Sequence, residues 1–326
     1  MGSQTLLAAE DERMKPAFGV RSAFGSLDRV LMHRPGVELD AVTNDTLDEF
    51  NFARPVDRAR FVAEYDAMLD CFTRIGVEVL LLTDVLANDR ESLSYIARRP
   101  NMTYTRDLAT VLPSGAVLMG PHLIGRRGDE GILGRAFKRL GIAVLGHIEP
   151  PGFLEGGGVT ILDTDTIVAS LCDRANRDGT AQLRQLTLGR DFRFFLEVPL
   201  PPGHIHIDGL FMVLDEDLCV IHEETLAHLS CHLYEAGKSG ARQVSFGDYL
   251  AERSIRRIPI TEHERVEGHL NLVVVKRGRV AVGFSEAVRL RAELAKFGWT
   301  LETFQSTELA SGRGGAHCMT CPLLVR

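Results

Sequence analysis

The stretch "TVLPSGAVLMG", residues 110–120, contains two short apolar runs on either side of a Pro-Ser-Gly turn. Two apolar runs joined by such a turn predict a β-hairpin. The same pattern returns three more times, as "VTILDTDTIVAS" (159–170), "FMVLDEDLCVIH" (211–222) and "NLVVVKRGRVAVGF" (271–284). Recurrence of one unit at separated places indicates a fold built from repeats.

A helix and a further strand are predicted after the hairpins. "DEGILGRAFKRLG" (129–141) precedes "IAVLGHI", and "EAVRLRAELAKFG" (286–298) precedes "WTLETF". Both helical segments end in glycine, the residue that most often caps a helix C-terminus. Hairpin, helix and strand together form a repeated unit of about 50 residues.

The beginning of the chain predicts a fifth unit that lacks one strand. A strand at 28–35, a long helix at 57–76 and a strand at 77–84 are predicted there, and the last segment, "CPLLVR" (321–326), is a strand without a local partner. Pairing of this segment with the first strand would close a ring. We therefore expect an α/β fold, a five-bladed α/β propeller formed by residues 19–326 as one domain, with residues 1–18 as a disordered segment. A doubly wound sheet is the alternative, but hairpins require antiparallel pairs and no glycine-rich phosphate motif follows a strand.

Composition and charge restrict the function. Lys and Arg number 37 against 44 Asp and Glu, and the net charge of −7 disfavours a nucleic-acid partner and weakly favours a cationic small molecule. No secretory signal and no apolar run long enough to span a membrane are apparent, and six scattered cysteines fit a reducing compartment. These features predict a cytoplasmic protein with no membrane partner, and they leave a homo-oligomer open.

Chemically versatile residues stand at corresponding places in the units. Asp107, Glu155 and the pair His206 and Asp208 each come shortly before a hairpin, and Cys318 comes shortly before the closing strand. In a ring of repeats, corresponding positions converge on the axis. The sequence therefore predicts one pocket that holds a thiol, an imidazole and three carboxylates.

The predicted pocket suits a guanidinium ion. Three carboxylates repel one another unless a cation lies between them, and a guanidinium pairs with carboxylates through planar N–H donors. Its carbon is a poor electrophile, so cleavage needs a strong nucleophile, and a thiolate is the best that the chain offers near neutral pH. Cys318 is the predicted nucleophile, and no cofactor or metal is required.

Four segments resemble the arginine deiminases, within the guanidine-modifying superfamily. "GRGGAHCMTCP" is similar to their C-terminal signature, and "PNMTYTRD", "LEGGG" and "HIHID" resemble three further family motifs in the same order. The resemblance covers almost the whole chain. It implies a pentein fold, a catalytic set of Cys318, His206 and Glu155, and a guanidinium held by Asp107 and Asp208.

The resemblance also implies residues that hold the amino-acid head group of free arginine. Their spacing from the motifs matches at four positions, which are Asn101, Arg126, Arg174 and Arg313. Two departures from the family pattern stand out. Gly158 replaces the acid expected at the end of E-G-G-D, and the family's helical insertion is missing between Leu86 and Pro100. We therefore expect this protein to differ from the arginine deiminases in the residues that cover the pocket, in its oligomer contacts and in the guanidine that it prefers.

The expected reaction converts arginine to citrulline and ammonia through an amidino-thioether intermediate. An amidinotransferase that passes the group to an amine, or a dimethylarginine-type hydrolase, would use the same residues. Three other classes are weaker. Cys318 and Cys321 could form a redox pair. His204, His206 and Asp208 of "HIHID" could bind zinc together with Cys318, and the protein could be an arginine sensor without activity.

Overall fold

The structure is a computed structural model that describes residues 18–326. The predicted N-terminal segment, residues 1–18, lies outside the described residues apart from Phe18. The strands are β1 (Leu27–Met32), β2 (Glu78–Leu81), β3 (Ala109–Leu112), β4 (Gly115–Leu118), β5 (Val144–His147), β6 (Val159–Ile161), β7 (Thr166–Leu171), β8 (Phe194–Pro199), β9 (Phe211–Asp215), β10 (Leu218–Ile221), β11 (Ser230–Glu235), β12 (Ala241–Ser245), β13 (Arg256–Pro259), β14 (Val273–Lys276), β15 (Val280–Phe284), β16 (Thr300–Phe304) and β17 (Cys321–Val325).

The α-helices lie between these strands in the chain. They are α1 (Leu47–Phe50), α2 (Arg58–Ile75), α3 (Leu82–Val85), α4 (Arg90–Ile96), α5 (Asp129–Leu140), α6 (Arg177–Thr187), α7 (Glu223–Leu226), α8 (Phe246–Glu252), α9 (Glu262–Val266), α10 (Val288–Lys296) and α11 (Thr307–Ser311). Helix α5 ends at Gly141, which has a left-handed backbone as predicted. Within the described residues, no helix is long and apolar enough to cross a membrane.

Five sheets share one pattern, in which an antiparallel pair is extended by a parallel third strand. The orders are β3-β4-β5, β6-β7-β8, β9-β10-β13, β14-β15-β16 and β17-β1-β2, and the second of these continues into β11 and β12. All four predicted hairpins are present. Gly278, with φ of 66°, allows the tight turn between β14 and β15.

The last strand completes the first sheet, as the sequence predicts. Strand β17 pairs antiparallel with β1, with Leu31 opposite Cys321, and β2 lies parallel on the other side of β1. Two backbone hydrogen bonds between Gly19 and the residues Leu323 and Val325 also hold β17 from the N-terminal side. Residues nearly 300 positions apart therefore form one sheet.

One hairpin was missed by the sequence analysis. Strands β11 and β12 pair antiparallel, and β11 also pairs with β8, so the sheet that begins with β6 has five strands. This hairpin separates β10 from its parallel neighbour β13 in the chain. Cys231 and Leu233 of β11 are buried, and they anchor the added hairpin to the apolar core.

Short 3-10 turns precede the first strand of three hairpins, and the predicted acids and imidazole of the site lie in these turns or directly before them. They cover Thr105–Leu108 before β3, Gly156–Gly158 before β6 and Ile207–Gly209 before β9. The second turn packs against both of the others. This packing brings the ends of three sheets to one place.

Candidate active site

The turns place the predicted acids and imidazole side by side. Asp107 lies within the first turn, Glu155 and His206 directly precede the second and third turns, and Asp208 lies within the third. His206 Nε2 is 3.0 Å from Glu155 Oε2, and His206 Nδ1 is 3.8 Å from Asp107 Oδ1 and 4.0 Å from Asp208 Oδ1. All four side chains are at least nine-tenths buried.

Gly157 is required for this convergence. The backbone N–H of Gly157 donates to Asp107 Oδ1 at 3.1 Å. A Cβ at this position would lie 2.4 Å from His206 Nδ1, 2.9 Å from Asp107 Oδ1 and 3.0 Å from Asp208 Oδ2. The three polar groups therefore occupy the space in which any larger residue would have its side chain.

Cys318 enters the site from the loop before β17. Its sulfur is 3.9 Å from Asp208 Oδ2, and it lies in the same pocket as His206 and Asp107. Cys318 as a whole residue is partly accessible, whereas Cys321, three residues later, is buried with its sulfur 4.0 Å from the carbonyl oxygen of Ala109. Neither cysteine forms a disulfide.

Asn271 fixes the nucleophile and was not predicted. Its side-chain amide donates to Cys318 Sγ at 3.0 Å, and its carbonyl oxygen accepts from the backbone N–H of Cys318 at 3.3 Å and of His317 at 2.8 Å. Asn271 stands two residues before β14 as Asp107 stands two before β3, and that match in position was the available signal.

His317 is a second residue that the sequence analysis did not assign. Its Nδ1 is hydrogen bonded to Asp208 Oδ2 at 2.8 Å, and the side chain is buried. Burial tends to raise the pKa of Asp208, but the hydrogen bond from His317 and the charges of His206 and Arg106 bring that pKa below its ordinary value. Asp208 is therefore kept as a carboxylate.

Charge controls the protonation of the two reactive groups. Burial would lower the pKa of His206, but the carboxylates of Asp107, Glu155 and Asp208 raise it above the ordinary value. Burial together with Asp208 and Asp107 raises the pKa of the Cys318 thiol well above its ordinary value, against a smaller opposing effect of the Asn271 hydrogen bond. Without a further cation, the imidazole is protonated readily and the thiol keeps its proton.

Arg126 and Arg174 bind a buried carboxylate of the site. Arg126 Nη1 is 2.8 Å from Asp107 Oδ2 and 3.3 Å from Glu155 Oε2, and Arg174 Nη1 is 3.1 Å from Glu155 Oε2. Burial tends to raise the pKa of Glu155, but the two guanidinium groups and His206 place it well below its ordinary value. Both arginines line the pocket, and their predicted contact with a substrate head group stays a prediction.

The other two predicted head-group residues also line the pocket. The Asn101 amide donates to the carbonyl oxygen of Phe50 at 2.9 Å, and its own carbonyl oxygen is buried without a hydrogen bond in the described chain. Arg313 is exposed and makes one 3.3 Å hydrogen bond to Asn51. In place of the family's helical insertion, the segment between Leu86 and Pro100 contains only the short helix α4.

Three side chains lie close enough together to share a metal ion. One ligand atom each of Asp107, Glu155 and His206 lies within 4.8 Å of the others. Arg126 contacts two of these three residues, so the protein itself supplies a cation to the set. Of the four residues considered for zinc in the sequence, only His206 belongs to this group.

Comparison with known proteins agrees with these features. Residues 83–326 match the sequence model of the arginine deiminase family. An arginine deiminase from Mycolicibacterium gilvum is 24% identical, with 93% of this chain and 97% of that enzyme aligned, and one from Limosilactobacillus reuteri is 23% identical over 73% of this chain and 65% of that enzyme.

Among solved structures, DDAH of Pseudomonas aeruginosa in complex with citrulline has a TM-score of 0.68 at 17% identity, covering 91% of this chain and 99% of that one. The solved structure shares the mixed α/β pentein fold. The family match covers well over half of the chain, which therefore belongs to the arginine deiminase family.

Proposed function

We propose that this protein is a cysteine-dependent hydrolase of the guanidinium group of L-arginine, with citrulline and ammonia as products. One observation carries the proposal. A thiol, a readily protonated imidazole and two buried carboxylates line one pocket of about 540 Å³, a size typical of small-molecule sites, and a third buried carboxylate, Glu155, lies 3.0 Å from that imidazole.

Asp107 and Asp208 form the guanidinium subsite in this proposal. Both line the pocket, and Asp208 is also the carboxylate nearest to Cys318. A planar guanidinium between them would donate hydrogen bonds to both. Its carbon would then lie within reach of the sulfur.

Substrate charge activates the nucleophile. The pKa of the Cys318 thiol is raised by burial and by Asp208 and Asp107, and a bound guanidinium neutralises the two carboxylates. The thiol can then lose its proton to solvent, and the Asn271 amide donates to the resulting thiolate at 3.0 Å in the present geometry. The reactive thiolate forms only when substrate is present.

The reaction proceeds in two halves. The sulfur forms a bond to the guanidinium carbon, the bond to a terminal nitrogen breaks, and the His206 imidazolium gives that nitrogen a proton as ammonia departs. Neutral His206 then takes a proton from a water molecule that attacks the same carbon. The carbon–sulfur bond breaks, the new hydroxyl group loses its proton to solvent, citrulline leaves and the thiolate is restored. Glu155, 3.0 Å from His206 Nε2, orients the imidazole throughout.

We further propose that residues 19–326 form one domain in which the five sheets surround this pocket as blades of a propeller. The shared hairpin and parallel-strand pattern of the five sheets supports the arrangement. Convergence of site residues from all parts of the chain supports it as well.

The decisive experiment is product analysis with purified, reduced protein. We expect citrulline and ammonia in equal amounts from arginine, with no dependence on an added amine. Cys318→Ala should reduce the rate by at least about 10³-fold, since no other group in the mechanism replaces the nucleophile. Cys321→Ala, the matched control, should retain activity.

Other products would identify the alternatives. Ornithine and a new guanidine, formed only with glycine or another amine, would indicate an amidinotransferase. Turnover of methylated arginine in preference to arginine would indicate a dimethylarginine-type hydrolase. Arginine binding without any ammonia release would contradict catalysis and leave the sensor function.

A further inference from the structure

The charged residues that line the pocket differ in how far their charges are neutralised by the protein. Arg126 and Arg174 bind Glu155, and Arg265 makes two 2.6 Å hydrogen bonds to Glu262. Arg313 makes one long bond to the Asn51 amide, which carries no charge. Three of the four arginines are thus neutralised by carboxylates, whereas Arg313 is free to bind an anion.

Glu267 is the corresponding anionic residue. It lines the pocket and is exposed, and within residues 18–326 its carboxylate takes part in no hydrogen bond or ion pair. Its charge acts only through space, opposing the effect of burial on the pKa of His269. The other acids of the lining, Asp107 and Asp208, are bound to Arg126 and His317.

The backbone of Glu267 is nevertheless well fixed. It directly follows helix α9, and its N–H donates to the carbonyl oxygen of His263 at 2.9 Å. The helix begins at a Thr261 and Glu264 capping box, and Glu264 is also paired with Arg289. A fixed backbone with a free carboxylate is suited to receive a ligand, since little backbone entropy is lost on binding.

Arginine carries a guanidinium at one end and both an ammonium and a carboxylate at the other. Asp107 and Asp208 account for the guanidinium, and Glu267 is the remaining acid among the described residues that line the pocket. We propose that Glu267 binds the α-ammonium group of the substrate and thereby selects guanidino compounds that carry an amine on that carbon. This inference rests on the proposed function and adds a specificity residue to it.

The test separates the amine from the rest of the ligand. Three ligands are titrated by calorimetry into Cys318→Ala protein with and without Glu267→Gln. They are L-arginine, agmatine and 5-guanidinopentanoate. Agmatine keeps the amine but lacks the carboxylate, and 5-guanidinopentanoate keeps the carboxylate but lacks the amine. We expect Glu267→Gln to weaken the binding of arginine and agmatine about fivefold to tenfold and to leave the affinity for 5-guanidinopentanoate unchanged. Glu267→Lys should widen the difference, because it places a second cation beside the ammonium. Glu252→Gln, an exposed acid on helix α8, is the matched control.

The same variants are then assayed for ammonia release with Cys318 intact. A higher KM for the two amines, with kcat within about twofold of the parent, agrees with a binding role. An equal change for all three ligands, no change, or no arginine binding by the Cys318→Ala protein would overturn the assignment of Glu267. Selective weakening of the amines without turnover of any guanidine by the parent would instead contradict the proposed function and leave the assignment intact.

Discussion

At the scale of single residues, Glu155 holds the site together. Its carboxylate lies within 3.3 Å of Arg126, 3.1 Å of Arg174 and 3.0 Å of His206, and none of its surface is exposed. Three cationic groups converge on one buried anion. Removal of that anion would leave buried guanidinium groups without a counter-charge, which is among the costliest defects a core can carry.

Glu155 also controls the protonation of His206. The pKa of His206 lies above its ordinary value because Asp107, Glu155 and Asp208 outweigh burial. A raised folded-state pKa means that the stabilising charge contact is complete below the unfolded-state value of about 6.5 and is lost as pH rises through the folded-state value. Ammonia release, which needs the imidazolium, should decline over the same alkaline range.

Glu155→Gln should therefore lower the pKa of His206 and move the alkaline limb of the pH–rate profile to lower pH. An NMR titration of the histidine rings measures the pKa directly. The pKa of His204, lowered by burial and by Arg265, should not respond and serves as the control. An unchanged His206 titration in a folded Glu155→Gln protein would show that the Glu155 contact does not set the pKa of His206. If the Glu155→Gln protein does not fold, Asp107→Asn provides a second test.

Gly157 gives a steric prediction at the same scale. Gly157→Ala should reduce activity by at least about 10²-fold, because its Cβ would lie 2.4 Å from His206 Nδ1 and displace the groups that transfer protons. Gly131→Ala is the control, since nothing lies within 4 Å of a Cβ there and the position is inside helix α5. That control should retain activity and gain up to about 1 kcal/mol of unfolding free energy in urea. Normal turnover by Gly157→Ala would contradict the described convergence.

At the scale of elements, β17 is the strand on which the nucleophile depends. Cys318 stands three residues before it, and β17 is held by β1 on one side and by Gly19 backbone bonds. Pairing of β17 therefore helps to hold the Cys318 thiol beside Asn271 and Asp208.

Leu323→Ala tests the strength of this attachment. Leu323 is 1% exposed, so its truncation should cost about 2–4 kcal/mol of unfolding free energy in urea. Val144→Ala on β5, where the side chain is 44% exposed, should cost less than about 1 kcal/mol. Similar costs at the two positions would indicate that β17 contributes little to the core.

The elements also show which parts of the fold are encoded locally. The four hairpins and the closing strand were predictable because short apolar runs and turn residues alternate regularly along the chain. The hairpin of β11 and β12 has the same kind of signal, with a turn that contains Gly237 and Gly240, both in the left-handed region. Its membership of the β6 sheet was not predictable, because β11 pairs with β8 and not with β10, the strand that precedes it in the chain.

Across the molecule, the sequence predicted which residues come together in the site, but it did not predict which of them contact each other. Cys318, His206, Glu155, Asp107 and Asp208 share one pocket or its wall, as the repeat positions indicated. The partners of these residues depend on side-chain directions across different sheets. The contact of Asn271 with the thiol is of this kind, and spacing alone could not show it.

Pairing of β1 with β17 also sets the order of events during synthesis. About 290 residues separate the two strands, so at ribosomal rates β1 must wait roughly 15–60 s for its antiparallel partner. During that interval β2 can cover one edge of β1, while the other edge, with the apolar residues Val30 and Leu31, has no partner strand. A nascent chain stalled before residue 318 would contain every carboxylate of the pocket but not the nucleophilic thiol of Cys318. The unpaired edge of β1 would make such a chain a substrate for chaperones.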